Sequence, residues 1–315
     1  MLRQLANDLL ARGRHADVAI FHEFHRPPYG GGNQFLIALR GEFERRGLRV
    51  EANAISATTR ACLINSFNFD ERRLQRLRRP GCRIVHRVDG PVTVYRGQDD
   101  GTDRRIHAAN QAFADATIFQ SRYSLERHLA MGLTFRNPTV VLNTVDPRIF
   151  FPPPHHGPIA NRRIRLVSTA WSDNPRKGAA TYQWLDEHLD WDRFSYTFIG
   201  RSPVQFKQIT MLPPVPSEQL ADVLRAQDIY ITASLNDSCS NALLEAIACG
   251  LPALYVDSGG NPEIVGEAGF GFASAEEVPA LLDRLVAEYD QRRARAHVPT
   301  IGEVADRYLA VMGMV

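Results

Sequence analysis

The chain has 315 residues, 44% of them hydrophobic and 23% charged, which is enough for two domains that each bury a core. Its 37 Lys and Arg side chains nearly balance 35 Asp and Glu, a formal net charge of +2, and this excludes the large uniform field that draws a protein to nucleic acid. Four cysteines (Cys62, Cys82, Cys239, Cys249) lie far apart with no CxxC pair, which argues against a zinc knuckle or a disulfide framework and for a reducing, cytoplasmic setting. Charges interrupt the first twenty residues, and nowhere do about 18 apolar residues run together, so neither a signal peptide nor a membrane span is expected.

Short apolar runs alternate with helical patterns through most of the chain, the mark of an α/β protein with parallel sheets. Residues 17–22 (DVAIFH) read as a buried strand. Tyr29-Gly30-Gly31-Gly32-Asn33 makes a Gly-rich turn, and 33–46 carries Phe35, Leu36, Leu39 and Phe43 at helical spacing. Strands follow at 48–52, 61–64, 83–87, 116–119 and 139–142. The fourth of these six runs into Val88-Asp89-Gly90-Pro91. Alternation along a strand puts His86 and Val88 on one side and Arg87 and Asp89 on the other, so at most one pair faces a ligand. A charged pair at a strand end is costly to bury except in a polar site, which favours Arg87 and Asp89.

Three successive prolines in 151–158 (FPPPHHGP) form a stiff connector and set a boundary between domains 1–150 and 151–315. The alternation restarts with strands at 164–169, 195–199, 228–232 and 253–256, and 301–314 reads as a closing helix. Two doubly wound halves joined by such a hinge hold ligands in the cleft between them, at the carboxyl ends of their strands.

The most informative stretch is 234–266, SLNDSCSNALLEAIACGLPALYVDSGGNPEIVG. A polar loop with Asn236, Asp237, Ser238 and Ser240 leads from a strand into an apolar helix at 242–248. A helix start offers unpaired N–H groups and the positive end of the dipole, and these bind phosphate. Glu245, one turn inside, is placed to accept hydrogen bonds from ribose hydroxyls.

This run resembles the retaining glycosyltransferases of family 4, whose hallmark is two acids eight apart, then E-A-x-A-x-G-x-P, a strand and a G-G-x-P-E turn. Here the acids are Asp237 and Glu245, the helix reads LLEAIACGLP and the turn GGNPE. The resemblance implies a GT-B fold: an N-terminal Rossmann-like acceptor domain and a C-terminal donor domain facing across a cleft, with the last helix crossing back to the first domain. It implies a ribose role for Glu245, a phosphate role for the backbone of Ser240, Asn241 and Ala242, and a sugar contact for Asp237, which stands where the family has Glu. In 171–178 (WSDNPRKG), Lys177 takes the place of the family's diphosphate-binding cation, with Arg176 beside it and Trp171 where the family has Arg. Gly200 and Val215 fall in the segments that flank the base. Gly31 and Gly32 match a Gly-Gly turn near the donor phosphates.

The family places a His near the reacting sugar where this chain has Asp89, with His86 three residues earlier; both are catalytic candidates. Arg87, Tyr95, Arg96 and Arg122 are acceptor-side candidates. Asn143-Thr144-Val145-Asp146 resembles an N-G-V-D segment between domains. The function implied is transfer of a sugar from a UDP- or GDP-sugar to a hydroxyl of a sugar, lipid-linked or small-molecule acceptor, with retention and without metal or cofactor, in the cytoplasm or at the inner membrane face. A nucleotide-sugar 2-epimerase and an inactive sugar-nucleotide-binding module stay open as alternatives. Asp190-Trp191-Asp192 spells D-x-D, but between a helix and a strand, out of context for a metal. Six arginines in 71–83 read either as a solvated helix face or as a surface for anionic lipid.

Overall fold

The computed structural model describes residues 15–25, 31–155 and 157–314. The described residues divide into two compact units, one made of 15–25, 35–142 and 301–314, the other of 31–34, 143–155 and 157–300. Tyr29 and Gly30 of the Gly-rich turn lie outside the described residues.

The first unit is built on six parallel strands: β1 (Val18–Phe21), β2 (Val50–Ala52), β3 (Ala61–Asn65), β4 (Arg83–Val88), β5 (Ala116–Phe119) and β6 (Pro138–Val140), in the order β2-β1-β3-β4-β5-β6. Helices cover both faces, so β1, β3 and β5 are buried along their whole length and read as continuous apolar runs instead of alternating ones. Phe35, Leu36, Leu39 and Phe43 of the Gly31–Arg45 helix fill one face together with Ile301, Val304, Tyr308 and Leu309 of the closing Ile301–Val311 helix. Phe69, Leu74, Leu77 and Ala109 fill the other. The closing helix therefore belongs to the first unit. Arg46 ties it there by pairing with Asp306 and donating to the Gly302 carbonyl at 2.8 Å.

The second unit repeats the plan with β7 (Ile164–Ala170), β8 (Phe194–Gly200), β9 (Thr210–Leu212), β10 (Ile229–Thr232), β11 (Ala253–Val256) and β12 (Gly269–Phe272), all parallel, in the order β12-β11-β10-β7-β8-β9. Its core gathers Leu166, Tyr196, Phe198, Ile231 and Leu254 from the strands with Leu185, Leu282 and Leu285 from the helices. The strand order reverses between β7 and β10. In a doubly wound sheet this switch point leaves a crevice at the carboxyl ends of the two strands, where the loops leave in opposite directions. At the amino end of β10, Asp228 is fully buried and accepts from Arg162, from Arg165 and from the Arg165 N–H at 2.7 Å. Burial pushes its carboxyl up, but the bonds from the two arginines outweigh this and hold it down at about 2.

Candidate active site

A cavity of about 210 Å³ opens at the switch point of the second sheet. Thr169, Ala170, Trp171 and Lys177 reach it from the end of β7, Thr232, Ser234 and Asp237 from the end of β10, and Ile199 and Gly200 from the end of β8. Its remaining wall comes from Pro214, Val215, Ser217 and Leu220, from the start of the Asn241–Ala248 helix, and from Gly31 and Gln34. Of the candidate site residues read from the sequence, Gly31, Lys177, Gly200, Val215, Asp237 and Glu245 line it, as do Ser240, Asn241 and Ala242.

Local backbone chemistry explains how the charged groups arrive. β7 ends in a short 3₁₀ turn, Pro175–Lys177, capped by the Asn174 side chain. Gly178 then turns left-handed at φ 93°, with its backbone against Ala233 at the end of β10, where a Cβ would approach the Ala233 methyl to 2.3 Å. Only glycine fits so close an approach at that angle. The Leu235 N–H donates to the Arg176 carbonyl at 2.8 Å, stitching the two loops together. Lys177 Nζ consequently meets Asp237 Oδ2 at 2.8 Å, with 22% and 17% of the two side chains exposed. Ser234 Oγ donates to the same oxygen at 3.3 Å. The GGNPE turn braces this loop from behind: the Gly260 N–H donates to the Asp237 carbonyl at 2.8 Å, the Asn236 N–H to Ser258 Oγ at 2.9 Å, and buried Asn261 to the Ser234 carbonyl at 3.2 Å.

The helix that follows is capped by Ser240, whose hydroxyl accepts from the Leu243 N–H at 3.4 Å. The N–H groups of Asn241 and Ala242 are first-turn donors with no helical carbonyl to meet, and both residues line the cavity. Asn143 donates to the Asn241 side chain at 3.4 Å and Thr144 to the Pro299 carbonyl at 2.5 Å, so the 143–146 segment supports the helix start within this unit. Glu245 lies one turn in, lining the cavity. Its carboxylate is partly accessible from the cavity but enclosed by protein on its other sides, and accepts no hydrogen bond among the described residues. Burial alone pushes it up to about 8.

Other candidates sit elsewhere. Gly31 borders the cavity, packed on the Asn241 side chain, but Gly32 does not line it; both form the first turn of a helix that starts two residues before the expected 33. Arg176 does not line the cavity. His86 requires correction. It is fully buried in the first unit, with Nε2 on the Ser66 carbonyl at 2.9 Å, and burial holds its imidazole down at about 4, so it is a neutral core residue without access to substrate. Arg87 also needs correcting as an acceptor-side residue, because its side chain is wholly buried behind Asp89, which is the partly exposed member of the pair. Tyr95 is half-buried and Arg96 is exposed and paired with Asp100 at 2.8 Å; Arg122 is exposed.

The Arg-rich stretch is also structural to a large degree. Arg73 donates to the Asn53 carbonyl, Arg78 to Ala112, Arg79 to Ser56 and Thr59, and Arg83 to Val311. The D-x-D carboxylate of Asp190 accepts from the Asp192 N–H at 3.1 Å as a turn cap. Among the described residues no cluster of His, Cys, Asp and Glu is arranged to hold a metal, and no helix is long and apolar enough to cross a membrane.

Two all-parallel, doubly wound six-stranded units, with a cavity at the switch point of the second, define the GT-B fold of glycosyltransferases. Residues 193–290, which include the Glu245 helix and the GGNPE turn, match the family model described as Glycosyl transferases group 1. The catalytic domain of starch synthase IV from Arabidopsis thaliana, bound to ADP and acarbose, superposes with a TM-score of 0.72 at 12% identity, covering 95% of this chain and 99% of that one. HepE of Anabaena in complex with UDP and glucose gives 0.63 at 12% identity, covering 95% and 97%. By sequence, D-inositol 3-phosphate glycosyltransferase of Rhodococcus erythropolis is 45% identical over 53 residues, 17% of this chain. The match spans 12% of that relative's length, and those to the Streptomyces avermitilis and Streptomyces scabiei enzymes of the same name span 21% and 17%.

Proposed function

We propose that the chain is a glycosyltransferase that moves a sugar from a nucleotide-sugar donor, UDP- or GDP-linked, to an acceptor hydroxyl, with retention and without a metal or cofactor. The observation that carries this reading is the meeting, in one cavity, of a helix start with open N–H donors, a lysine and a half-buried carboxylate that accepts no hydrogen bond among the described residues. A diphosphate suits the first two and a ribose diol the third. The printed ligands of the structural relatives, ADP, UDP and glucose, support a nucleoside diphosphate there.

In this reading the diphosphate lies on the N–H groups of Asn241 and Ala242, and the Lys177 ammonium adds its charge. Negative charge grows on the leaving phosphate as the glycosidic bond breaks. Donors fixed in advance stabilise that charge more than they stabilise the bound donor, which lowers the barrier. Because these groups supply the positive charge, a divalent ion has no necessary part. Retention follows if the acceptor hydroxyl attacks from the leaving-group face and passes its proton to the departing phosphate oxygen. The Ile199–Gly200 and Pro214–Val215 wall then takes the base.

Calorimetry with UDP and GDP, followed by mass spectrometry of UDP-glucose and GDP-mannose incubations, tests the proposal. Micromolar binding of one nucleotide with slow release of free sugar supports it. Epimer formation supports the 2-epimerase instead, and absence of binding by either nucleotide contradicts the reading.

A further inference from the structure

At the carboxyl end of the first sheet a full positive charge is buried. Arg87, with no exposed side-chain surface, donates from Nη1 to Asn65 Oδ1 at 2.7 Å and to Asp89 Oδ1 at 2.6 Å, and from Nη2 to Gln120 Oε1 at 2.9 Å. Its guanidinium lies 5.0 Å from the centre of the Phe35 ring. The register explains the meeting: Asn65 ends β3 directly opposite Arg87 on β4, while Phe119 on β5 lies opposite Val88, which sets Gln120 beside Asp89. Gln120 Nε2 also donates to Asp89 Oδ1 at 3.1 Å, and Ser124 Oγ donates to the Asp89 carbonyl at 3.0 Å. One carboxylate oxygen of Asp89 is thus held from two sides and its main chain from a third. The other oxygen, Oδ2, accepts no hydrogen bond among the described residues, and 32% of the side chain is exposed.

We infer that Arg87 is a positioning residue that, with Asn65 and Gln120, fixes Asp89 so that Oδ2 is presented as a preset acceptor for a sugar hydroxyl. This rests on the transferase reading above. A buried ion pair is seldom the most stable way to fill a core, since apolar residues of similar size often do as well or better. Here the buried charge, held in place by Asn65 at the end of β3, and the amide of Gln120, just past β5, converge on a single carboxylate that reaches the surface. A carboxylate held this way loses little freedom when a hydroxyl binds, and small misplacements of such a group are expensive in rate.

The test is a mutant cycle of Arg87→Lys, Asp89→Asn and the double variant, read as nucleotide released from UDP-glucose and GDP-mannose, with UDP affinity and melting temperature measured in parallel. Lysine keeps the charge but holds it on one nitrogen, without the planar fork whose two nitrogens reach the separated acceptors of Arg87. Each single variant should lose about 10²-fold in turnover. The double should fall no further than Asp89→Asn, with UDP affinity unchanged. Gln120→Met, which removes one support from each side of the pair, should give a smaller loss and serves if Arg87→Lys does not fold. Turnover in Arg87→Lys, or in that substitute, close to that of the unaltered protein overturns the inference, as does a double variant whose loss is the product of the singles. If the unaltered protein binds UDP but releases no nucleotide from either donor, the transferase reading fails and takes the role of Asp89 with it.

Discussion

Asp228 and Glu245 belong to the same unit, but they sit toward opposite ends of one sheet and are treated in opposite ways. Asp228, at the amino end of β10, is saturated by two arginines and a backbone N–H, and its carboxyl is held down at about 2. Glu245, behind the carboxyl end of β10, has no such partner and is pushed up to about 8. The first arrangement stabilises a fold by completing its own hydrogen bonds. The second leaves its acceptors open toward a cavity, at a cost in stability, as the proposed ribose contact requires. The comparison separates a carboxylate whose hydrogen bonds are completed inside the fold from one left open to a cavity.

The largest effect expected from breaking this contrast is at the structural end. Asp228→Ala leaves Arg162 and Arg165 facing an empty acceptor position and should lower unfolding free energy by about 3 kcal/mol, somewhat less than a wholly buried pair because both arginines are partly exposed. Chemical denaturation measures this, and UDP affinity below the transition should be unaltered. Next comes Lys177→Ala, which should raise the barrier to donor cleavage by about 2–4 kcal/mol in steady-state kinetics, with little change in melting temperature. Near-normal turnover counts against its charge role.

Glu245→Gln sharpens the contrast through pH. Glu245 ionises near 4.5 in the unfolded chain and near 8 in the fold, so the fold holds this proton more tightly. The stability it contributes is complete below pH 4.5 and lost as pH rises through 8. The glutamine variant should therefore melt higher than the parent at pH 9, by about 1–3 kcal/mol once water in the cavity is allowed for, and alike at pH 4.5. The same variant should bind UDP about tenfold more weakly at pH 9, because the charged acceptor for the ribose is gone. A variant that melts alike at both pH values places Glu245 outside this account. The smallest effect belongs to Asp192→Asn in the D-x-D: turnover should be unchanged with or without a chelator. Loss of activity on chelation refutes the metal-free mechanism.

Much of the fold was legible because central strands of a parallel sheet, covered on both faces, leave apolar runs that composition reveals. β9 and β12 were not. Both are edge strands with one neighbour each, and their sequences, TML and GFGF, carry little of that signal. In the site, Glu245 was visible because it lies one turn inside a helix that follows a polar loop, and Asp237 and Lys177 because the spacing of their motifs resembles that of the family. Thr169, Thr232 and Ser234 were missed, although their position at the ends of the two strands beside the switch point was a usable clue. The burial of Arg87 was not legible at all. An arginine in a strand reads as a surface residue unless its acceptors are known, and Asn65 and Gln120 stand at the ends of the two flanking strands, far along the chain.

Crystals soaked with UDP and with GDP test the central claim most directly. The account predicts diphosphate density within hydrogen-bonding distance of the Asn241 and Ala242 N–H groups and Lys177 Nζ, with ribose hydroxyls on the Glu245 carboxylate. Nucleotide density bound elsewhere, with the cavity at the head of that helix unchanged, would contradict it.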